Sequence, residues 1–493
     1  MASALALLLY LPLLAAAIVL VWRRPVVALY VFVVGLALHN LAMALLYGAG
    51  VHGLALDAIQ AWKEILLGTA LARVAWDAWR ARQLQFRPAL VDWLALGFGA
   101  IVVLYALVPQ AWLGGEAGGN AVLLSARHAL APVAAYVLGR SLALDRADLR
   151  RLAWTVVATA AAVAAVGLVE EYTVSVETWR DAGVPAYFRD ELGFEYKGPA
   201  RMPENFAFNS GGGELHRRLV STFVSPLASA FLFAVALLLA AAVGLLRTRW
   251  GALLAAVTFV GLLFTVSRST VVALAGGLVV LAVIQRRAWP AAAAVGVVAA
   301  GLVFTGGFQQ IAPETHFLPG ELAEQARIAR EQGDVEGGAA SLNEPSIRSH
   351  LESLRAGLRT VAEHPQGYGL GNAGAVARRE DVELRAGESN YTELGVETGL
   401  LGLALFVAWN VALFLALARA GRTDRYAAGV AASLATVLAL AVQTDAYGVP
   451  WLGYGVWWLG GALAAPAAGL AASTTGAGRR SVPGSGRTGT ARS

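Results

Sequence analysis

The 493-residue chain contains no cysteine and few charged residues. The absence of cysteine excludes disulfides, thiolate metal sites and cysteine nucleophiles. Charged residues make up 14% of the chain, whereas soluble domains average about 25%. Hydrophobic residues make up 57%, which is more apolar surface than a water-soluble core can absorb. The composition therefore indicates an integral membrane protein.

Hydrophobic runs recur along most of the chain. A helix of about twenty apolar residues crosses the ~30 Å hydrocarbon layer, and it satisfies its backbone polar groups within its own segment. The sequence therefore predicts an all-α fold, a polytopic membrane bundle of about thirteen transmembrane helices. The runs lie near residues 2–22, 25–47, 55–79, 88–108, 121–141, 152–171, 219–246, 250–266, 269–285, 289–308, 395–418, 426–444 and 450–472. The first run lacks the basic start of a secretory signal, so we expect it to remain as a helix.

The basic residues alternate between loops in a way that predicts the orientation of the chain. The short loops 48–54, 109–119 and 445–449 contain no Lys or Arg. Arginines collect in the loops between them, and cytoplasmic loops are enriched in these residues. We therefore expect an outside N-terminus and a multi-pass protein of the bacterial inner (cytoplasmic) membrane. The net charge of +5 reflects this orientation, and no nucleic-acid partner is expected.

The runs and the polar segments between them divide the chain into six parts. Residues 1–171, 218–308 and 395–472 form three groups of transmembrane helices, and residues 473–493 form a Gly-, Ser- and Thr-rich tail that we expect to be disordered. Residues 172–217 and 309–394 form two long outer loops. The second loop is partly helical, because residues 346–363 carry apolar side chains at helical spacing. The opposite face of that predicted helix carries Arg348, Glu352, Arg355 and Arg359.

Several ionisable residues lie at or near membrane depth. Lys63 and Glu64 interrupt the third run, and Arg127 and His128 lie near the outer third of the fifth. Such groups are costly in a membrane and either form structural ion pairs or line a functional cavity. Arg268 lies in a very short outer turn, where a partly desolvated guanidinium binds phosphate well. The alternative is that the Arg268 side chain simply extends along the apolar surface so that its charge reaches the membrane–water interface. The glycine-rich segment 364–374 follows a helix and lacks a βαβ unit, which favours a tight turn over a dinucleotide site.

Four motifs occur in a fixed order over residues 200–418. They are Arg218-Leu-Val-Ser-Thr-Phe-Val-Ser-Pro226, the Ser267-Arg268 turn, His364-Pro-Gln-Gly-Tyr-Gly-Leu-Gly371, and Glu388-Ser-Asn-Tyr391 before Glu397-Thr-Gly-Leu-Leu-Gly402. With the flanking helices and the large outer loop, this set resembles the O-antigen ligase and O-antigen polymerase superfamily.

The resemblance implies a metal-independent glycosyltransferase of the GT-C type without a cofactor. Its donor would be a polyprenyl-diphosphate-linked glycan, its acceptor a glycan or a lipid, and its active site would face the periplasm among membrane lipids. Arg268 and Arg348 match the arginines that bind the diphosphate. Glu388 stands where ligases have the His of a His-Asn pair, and a carboxylate there is a candidate general base. Four further positions are expected to bind substrate: Arg218, Arg355, His364 and Tyr391.

Two alternatives remain at this point. Ligase and polymerase activity are not separated by the sequence, because the departure at Glu388 weakens the ligase assignment and polymerases vary there. A transporter of a small solute or ion, with Lys63, Glu64 and Arg127 in its pathway, has a similar composition. Transporters often have repeated halves, and the sequence shows no convincing repeat. A scaffold within the cell envelope is a weaker possibility.

Overall fold

A computed structural model describes residues 1–142, 144–193, 206–209, 215–313, 345–387 and 389–464, together with the single positions 320, 323 and 327. Only the backbone is described at residues 209, 215 and 345–349. The predicted tail, 473–493, lies outside the described residues.

Within the described ranges almost all regular structure is helical, which agrees with the all-α prediction. The helices are α1 (Ala2–Arg23), α2 (Val26–Gly48), α3 (Leu54–Gln60), α4 (Trp62–Ala81), α5 (Leu90–Leu107), α6 (Gly119–Ser141), α7 (Arg146–Thr173), α8 (Val176–Asp181), α9 (Val184–Asp190), α10 (Pro226–Val243), α11 (Arg249–Phe264), α12 (Arg268–Gln285), α13 (Ala288–Ile311), α14 (Pro345–Glu363), α15 (Gly374–Arg379), α16 (Asn390–Ala420), α17 (Arg425–Leu440) and α18 (Pro450–Leu463).

Nine of the described helices are long and apolar enough to cross a membrane: α1, α2, α5, α6, α7, α10, α12, α13 and α16. The predicted count of about thirteen spans is therefore not confirmed. The third run divides at Ala61 into α3 and α4, and α4 carries charges such as Lys63 and Glu64. α11 and α17 have 16 residues each, which gives a length of ~24 Å at 1.5 Å per residue. The described part of α18 has 14 residues.

A small β-hairpin is the one described departure from helical structure. β1 (Ala207–Asn209) pairs antiparallel with β2 (Leu215–Arg217), with Ala207 opposite Arg217. The hairpin lies in the segment predicted as the first outer loop. After the hairpin, the chain passes the outer ends of α7 and α11 and then enters α10.

The bundle is organised around α10. Of this helix 83% is buried, whereas only 6% of the apolar core of α1 is buried at the edge of the bundle. Glycines allow the closest helix contact, between α6 and α18: a Cβ at Gly139 would lie 2.1 Å from the Trp458 carbonyl oxygen. Small residues are typical of helix interfaces in membranes, where close backbone approach replaces the hydrophobic driving force.

α16 is broken at Gly399, which has φ +67° and ψ −177°. This φ lies in the region that strongly favours glycine. The break frees backbone groups that the preceding turn then satisfies: the Leu400 N–H donates to the Pro365 carbonyl at 2.8 Å, and the Tyr368 N–H donates to the Val396 carbonyl at 2.6 Å. The Glu397-Thr-Gly motif thus docks the glycine-rich turn onto the top of a membrane helix.

The segments predicted to face outside meet at one end of the bundle, which we call the outer end. Arginines of the predicted inner loops form ion pairs at the opposite end, as in Arg24 with Asp148 at 3.0 Å. The loops therefore sort into the same two groups as the arginine pattern, while the side of the membrane stays a prediction. Hydrogen bonds join distant segments at the outer end, among them Tyr47 to Asp190, Tyr172 to the Ile311 carbonyl, the Glu116 N–H to Asn372, and the Ala446 N–H to Asn390.

Candidate active site

Arg218 and Arg268, which belong to separate motifs, converge at the outer end. The Leu219 N–H donates to the Phe264 carbonyl at 3.0 Å, and Arg218 Nε donates to the Thr265 carbonyl at 2.7 Å. Arg268 begins α12 just beyond this turn and is half-buried. Desolvation lowers the pKa of Arg218 to about 10, and the positive charge of Arg268 acts in the same direction. The Arg218 guanidinium is therefore protonated at neutral pH, and its placement near Arg268 favours a bound anion.

The preceding residue, Arg217, has a different environment because successive side chains of a strand point to opposite faces. Its guanidinium pairs with Glu170 and donates to the Val174 carbonyl on α7. Glu170 also accepts a hydrogen bond from Trp179 Nε1 at 2.7 Å. Arg217 thus anchors the hairpin to α7, and this anchoring positions Arg218 toward the turn before α12.

α14 lies against the start of α16. A Cβ built on Gly357 would come within 2.7 Å of Thr392 Cβ, and one on Gly387 would come within 2.7 Å of Ser353 Oγ. The backbone of Arg348 lies in the first turn of α14. Glu388 and the side chain of Arg348 lie outside the described residues, so their catalytic roles stay predictions.

The turn from His364 is held by aromatic stacking. The His364 ring stacks on Tyr368, with centroids 4.3 Å apart, and the Arg385 guanidinium lies 4.3 Å from the centroid of the same Tyr368 ring. Asn372 closes the turn by donating to the carbonyls of Tyr368 and Gly369. His364 is half-buried at the start of this turn, and its predicted contact with substrate is untested.

The two other predicted substrate-binding residues lie in contrasting environments. Arg355 is exposed on α14. Tyr391 is half-buried on α16, and its hydroxyl donates to the Leu438 carbonyl on α17 at 3.0 Å. The Tyr391 hydroxyl therefore already has a partner within the bundle. Both substrate-binding assignments stay predictions.

A cluster of ionisable and amide side chains lies below these segments. Asn390 is fully buried and donates to Asp445 at 2.7 Å and to Glu393 at 3.1 Å. His128 Nε2 lies 3.4 Å from Asp445 Oδ1. Burial acts to raise the pKa of Asp445, but the charge of a protonated His128 and the hydrogen bonds around the carboxylate hold it below its ordinary value. Asp445 is therefore ionised at neutral pH.

Glu397 connects this cluster to the glycine-rich turn. Its carboxylate accepts from Ser125 Oγ at 2.6 Å and from the Gly371 N–H at 2.8 Å. One side chain thus joins α6, α16 and the turn. The Glu of the Glu-Thr-Gly motif has a structural role at the outer end of the bundle.

Lys63, Glu64 and Arg127 form a chain of loose ion pairs. Lys63 Nζ lies 3.7 Å from Glu64, and Arg127 lies 3.6 Å from the same carboxylate. Lys63 also donates to the Gln60 carbonyl at 2.9 Å and contacts His39. These contacts agree with the structural ion pair that the sequence suggested for Lys63 and Glu64.

The match to a known family falls on this region. Residues 253–407 match the family model described as O-antigen ligase. Over these residues the chain resembles O-antigen ligases. The match confirms the resemblance that the motif order indicated and supports a membrane glycan-processing enzyme. No curated protein sequence matches the chain.

The matched region, which we refer to as the O-antigen ligase domain after the family model, runs from α11 into α16 and includes Arg268, Arg348 and Glu388. Arg218, His128 and Asp445 lie outside it and reach it only through folding. Within the described parts of the chain, no group of three His, Asp or Glu side chains is placed to hold a metal ion.

Sequence reasoning missed Asp445 and Asn390 as members of a buried polar cluster. His128 and Arg127 drew attention as ionisable residues in a hydrophobic run, but nothing in the linear sequence indicated that Asp445 was their neighbour. The sequence signal for Asp445 was weak: it is an aspartate at the end of an apolar run, in a loop without basic residues.

Proposed function

We propose that the protein transfers or polymerises a glycan from a polyprenyl-diphosphate-linked donor at the outer face of the bacterial inner membrane. The observation that carries this proposal is the convergence of Arg218 and Arg268 at the outer end, at the edge of the O-antigen ligase domain. A pair of neighbouring guanidinium groups at the rim of a helical bundle suits a diphosphate carried on a membrane lipid, because planar forks bind phosphate oxygens in pairs.

The chemistry follows from the charges involved. The bond between the anomeric carbon of the donor sugar and the diphosphate oxygen breaks, and the electron pair leaves with the diphosphate. Arg218, Arg268 and Arg348 would stabilise the charge that develops there, since fixed cations in a partly dry site need no reorganisation. The acceptor hydroxyl forms the new bond to the anomeric carbon, and Glu388 is the candidate that takes its proton. We infer that the transfer is metal-independent.

The residues that precede and follow Glu388 in the sequence have contacts at the outer end of the bundle. Gly387 lies against Ser353 of α14, and the Ser389 hydroxyl donates to the Ala441 carbonyl at 3.3 Å. Gly387 thus contacts α14, which carries Arg348, and Ser389 contacts the end of α17. A base at this position would work at the same end of the bundle as the arginine pair.

A transporter has less support. Lys63, which would lie in its pathway, is buried and already contacts Glu64, His39 and the Gln60 carbonyl.

The decisive experiment is to incubate the purified protein with lipid-linked oligosaccharide from the cells that produce it, with and without EDTA. Longer glycans would identify a polymerase, and a new glycan conjugate would identify a ligase. Loss of activity in EDTA that added Mg²⁺ restores would overturn metal independence. Intact donor after prolonged incubation with a suitable acceptor would overturn the proposed function.

A further inference from the structure

A cleft of about 220 Å³ opens at the outer end of the bundle, between α6, α15 and the loop after α17. At ~30 Å³ per water, this volume equals about seven waters, which is close to the size of one pyranose ring. We call it the outer cleft. Its lining residues are Leu124, Arg127, His128, Leu192, Ala375, Val376, Arg379, Asp445 and Gly448.

A fixed pair of side chains, His128 and Asp445, forms the polar floor of the outer cleft. Asp445 Oδ1 accepts hydrogen bonds from Asn390 Nδ2 at 2.7 Å and from the Gly448 N–H at 3.0 Å. The same oxygen lies 3.4 Å from His128 Nε2. The edge of the His128 ring also packs against Tyr447, with centroids 5.1 Å apart. A carboxylate fixed in this way holds the imidazole in one orientation.

Two arginines lie beside this pair, and both keep hydrogen-bonding capacity. Arg127 is 3.6 Å from Glu64, and Arg379 is 3.6 Å from Glu380. Charge-assisted hydrogen bonds are shorter, about 2.7–2.9 Å, so these are loose ion pairs. A guanidinium group has five N–H donors, and a loose contact to one carboxylate leaves several of them for a ligand.

The remaining walls of the outer cleft are apolar, formed by Leu124, Leu192 and Val376. Fixed donors and acceptors on one side and aliphatic groups on the other match a sugar ring, which carries hydroxyls at its rim and C–H groups on its faces.

We propose that the outer cleft is the subsite for the acceptor saccharide, in which His128 hydrogen-bonds a hydroxyl of the acceptor and Asp445 positions His128. This inference rests on the proposed glycan transfer. It assigns a saccharide-binding role to residues outside the O-antigen ligase domain.

The charges of the cleft favour a neutral sugar over the donor diphosphate. Arg127 and Arg379 are each offset by a carboxylate, and the ionised Asp445 repels an anion. At the other site, the positive charge of Arg268 acts on the neighbouring Arg218, a setting that favours an anion. The outer end therefore offers two chemically different sites, as a transferase with two substrates requires.

The test uses free oligosaccharide, released by mild acid from the lipid-linked donor, as an added acceptor. His128→Phe keeps the ring and its packing on Tyr447 but removes both nitrogens. We expect the acceptor concentration for half-maximal transfer to rise about tenfold, the loss of roughly one hydrogen bond, with turnover at saturating acceptor changed less than threefold. Asp445→Asn should act in the same direction, and the double variant should be no worse than His128→Phe. The matched control is His52→Phe, at an exposed histidine of another outer loop.

A second readout does not need turnover. Diethyl pyrocarbonate modifies histidine, and the oligosaccharide alone should slow modification of His128 but not of His52. Unchanged acceptor dependence in His128→Phe, or no protection of His128 in a protein that transfers glycan, would overturn the subsite. Protection without transfer would support the subsite and refute the transferase. Neither protection nor transfer would refute both.

Discussion

Replacement of Arg268 by alanine should weaken donor binding strongly and should disturb the fold little. A guanidinium fork on a phosphate makes two charge-assisted hydrogen bonds of about 1.5–3 kcal/mol each. Their combined loss, about 3–6 kcal/mol, corresponds to a donor affinity that is roughly 10²–10⁴-fold weaker at 1.4 kcal/mol per tenfold. Arg268→Lys retains the charge but not the planar fork, and we expect it to lose roughly 10–100-fold.

The neighbouring arginines provide an internal comparison. Arg348→Ala should resemble Arg268→Ala in both donor binding and transfer. Arg218→Ala should weaken donor binding similarly, and it should also lower the unfolding temperature, because the 2.7 Å bond to the Thr265 carbonyl contributes about 1 kcal/mol. Arg359→Ala changes an exposed arginine on α14 and should leave donor affinity within about twofold, as most exposed charges contribute little.

The assay is binding of fluorescently labelled lipid-linked oligosaccharide to the detergent-solubilised protein, followed by transfer at saturating donor. Equal losses in all four alanine variants, Arg359→Ala included, would refute a specific diphosphate site, because general positive charge would then explain binding. Full activity in Arg268→Lys would show that a point charge is sufficient.

Three further predictions concern the base, the broken helix and the topology. Glu388→Gln should bind donor normally but lose transfer by roughly 10²–10⁴-fold; near-normal turnover would dismiss the base role. Gly399→Ala should lower the unfolding temperature, because φ is +67° and a Cβ would lie 2.6 Å from a backbone oxygen, whereas Gly306→Ala, with open space around it, should be neutral. In this cysteine-free chain, Gly118→Cys should react with an impermeant thiol reagent in intact cells and Thr423→Cys should not; the reverse pattern would invert the proposed orientation.

The sequence by itself determined that the chain is a helical membrane protein that resembles the O-antigen ligase superfamily. Hydrophobic length and arginine placement are properties of each segment taken alone, so they can be counted without knowing how segments pack. The motifs at Arg268, His364 and Glu388 are equally local, and their order along the chain was sufficient for the family. The same counting gave about thirteen spans, a number that the structure does not confirm, since hydrophobicity alone does not show that the third run divides at Ala61.

Only the tertiary structure decided which side chains share a site. Arg218 meets Arg268 because the β-hairpin, anchored through Arg217, lies on the turn before α12. His128 and Asp445 come from different helices and loops, and they meet only because α6, α16 and the loop after α17 pack together around the buried Asn390. Such contacts depend on the rotation and depth of each helix in the bundle, which many distant residues fix jointly and no local pattern encodes.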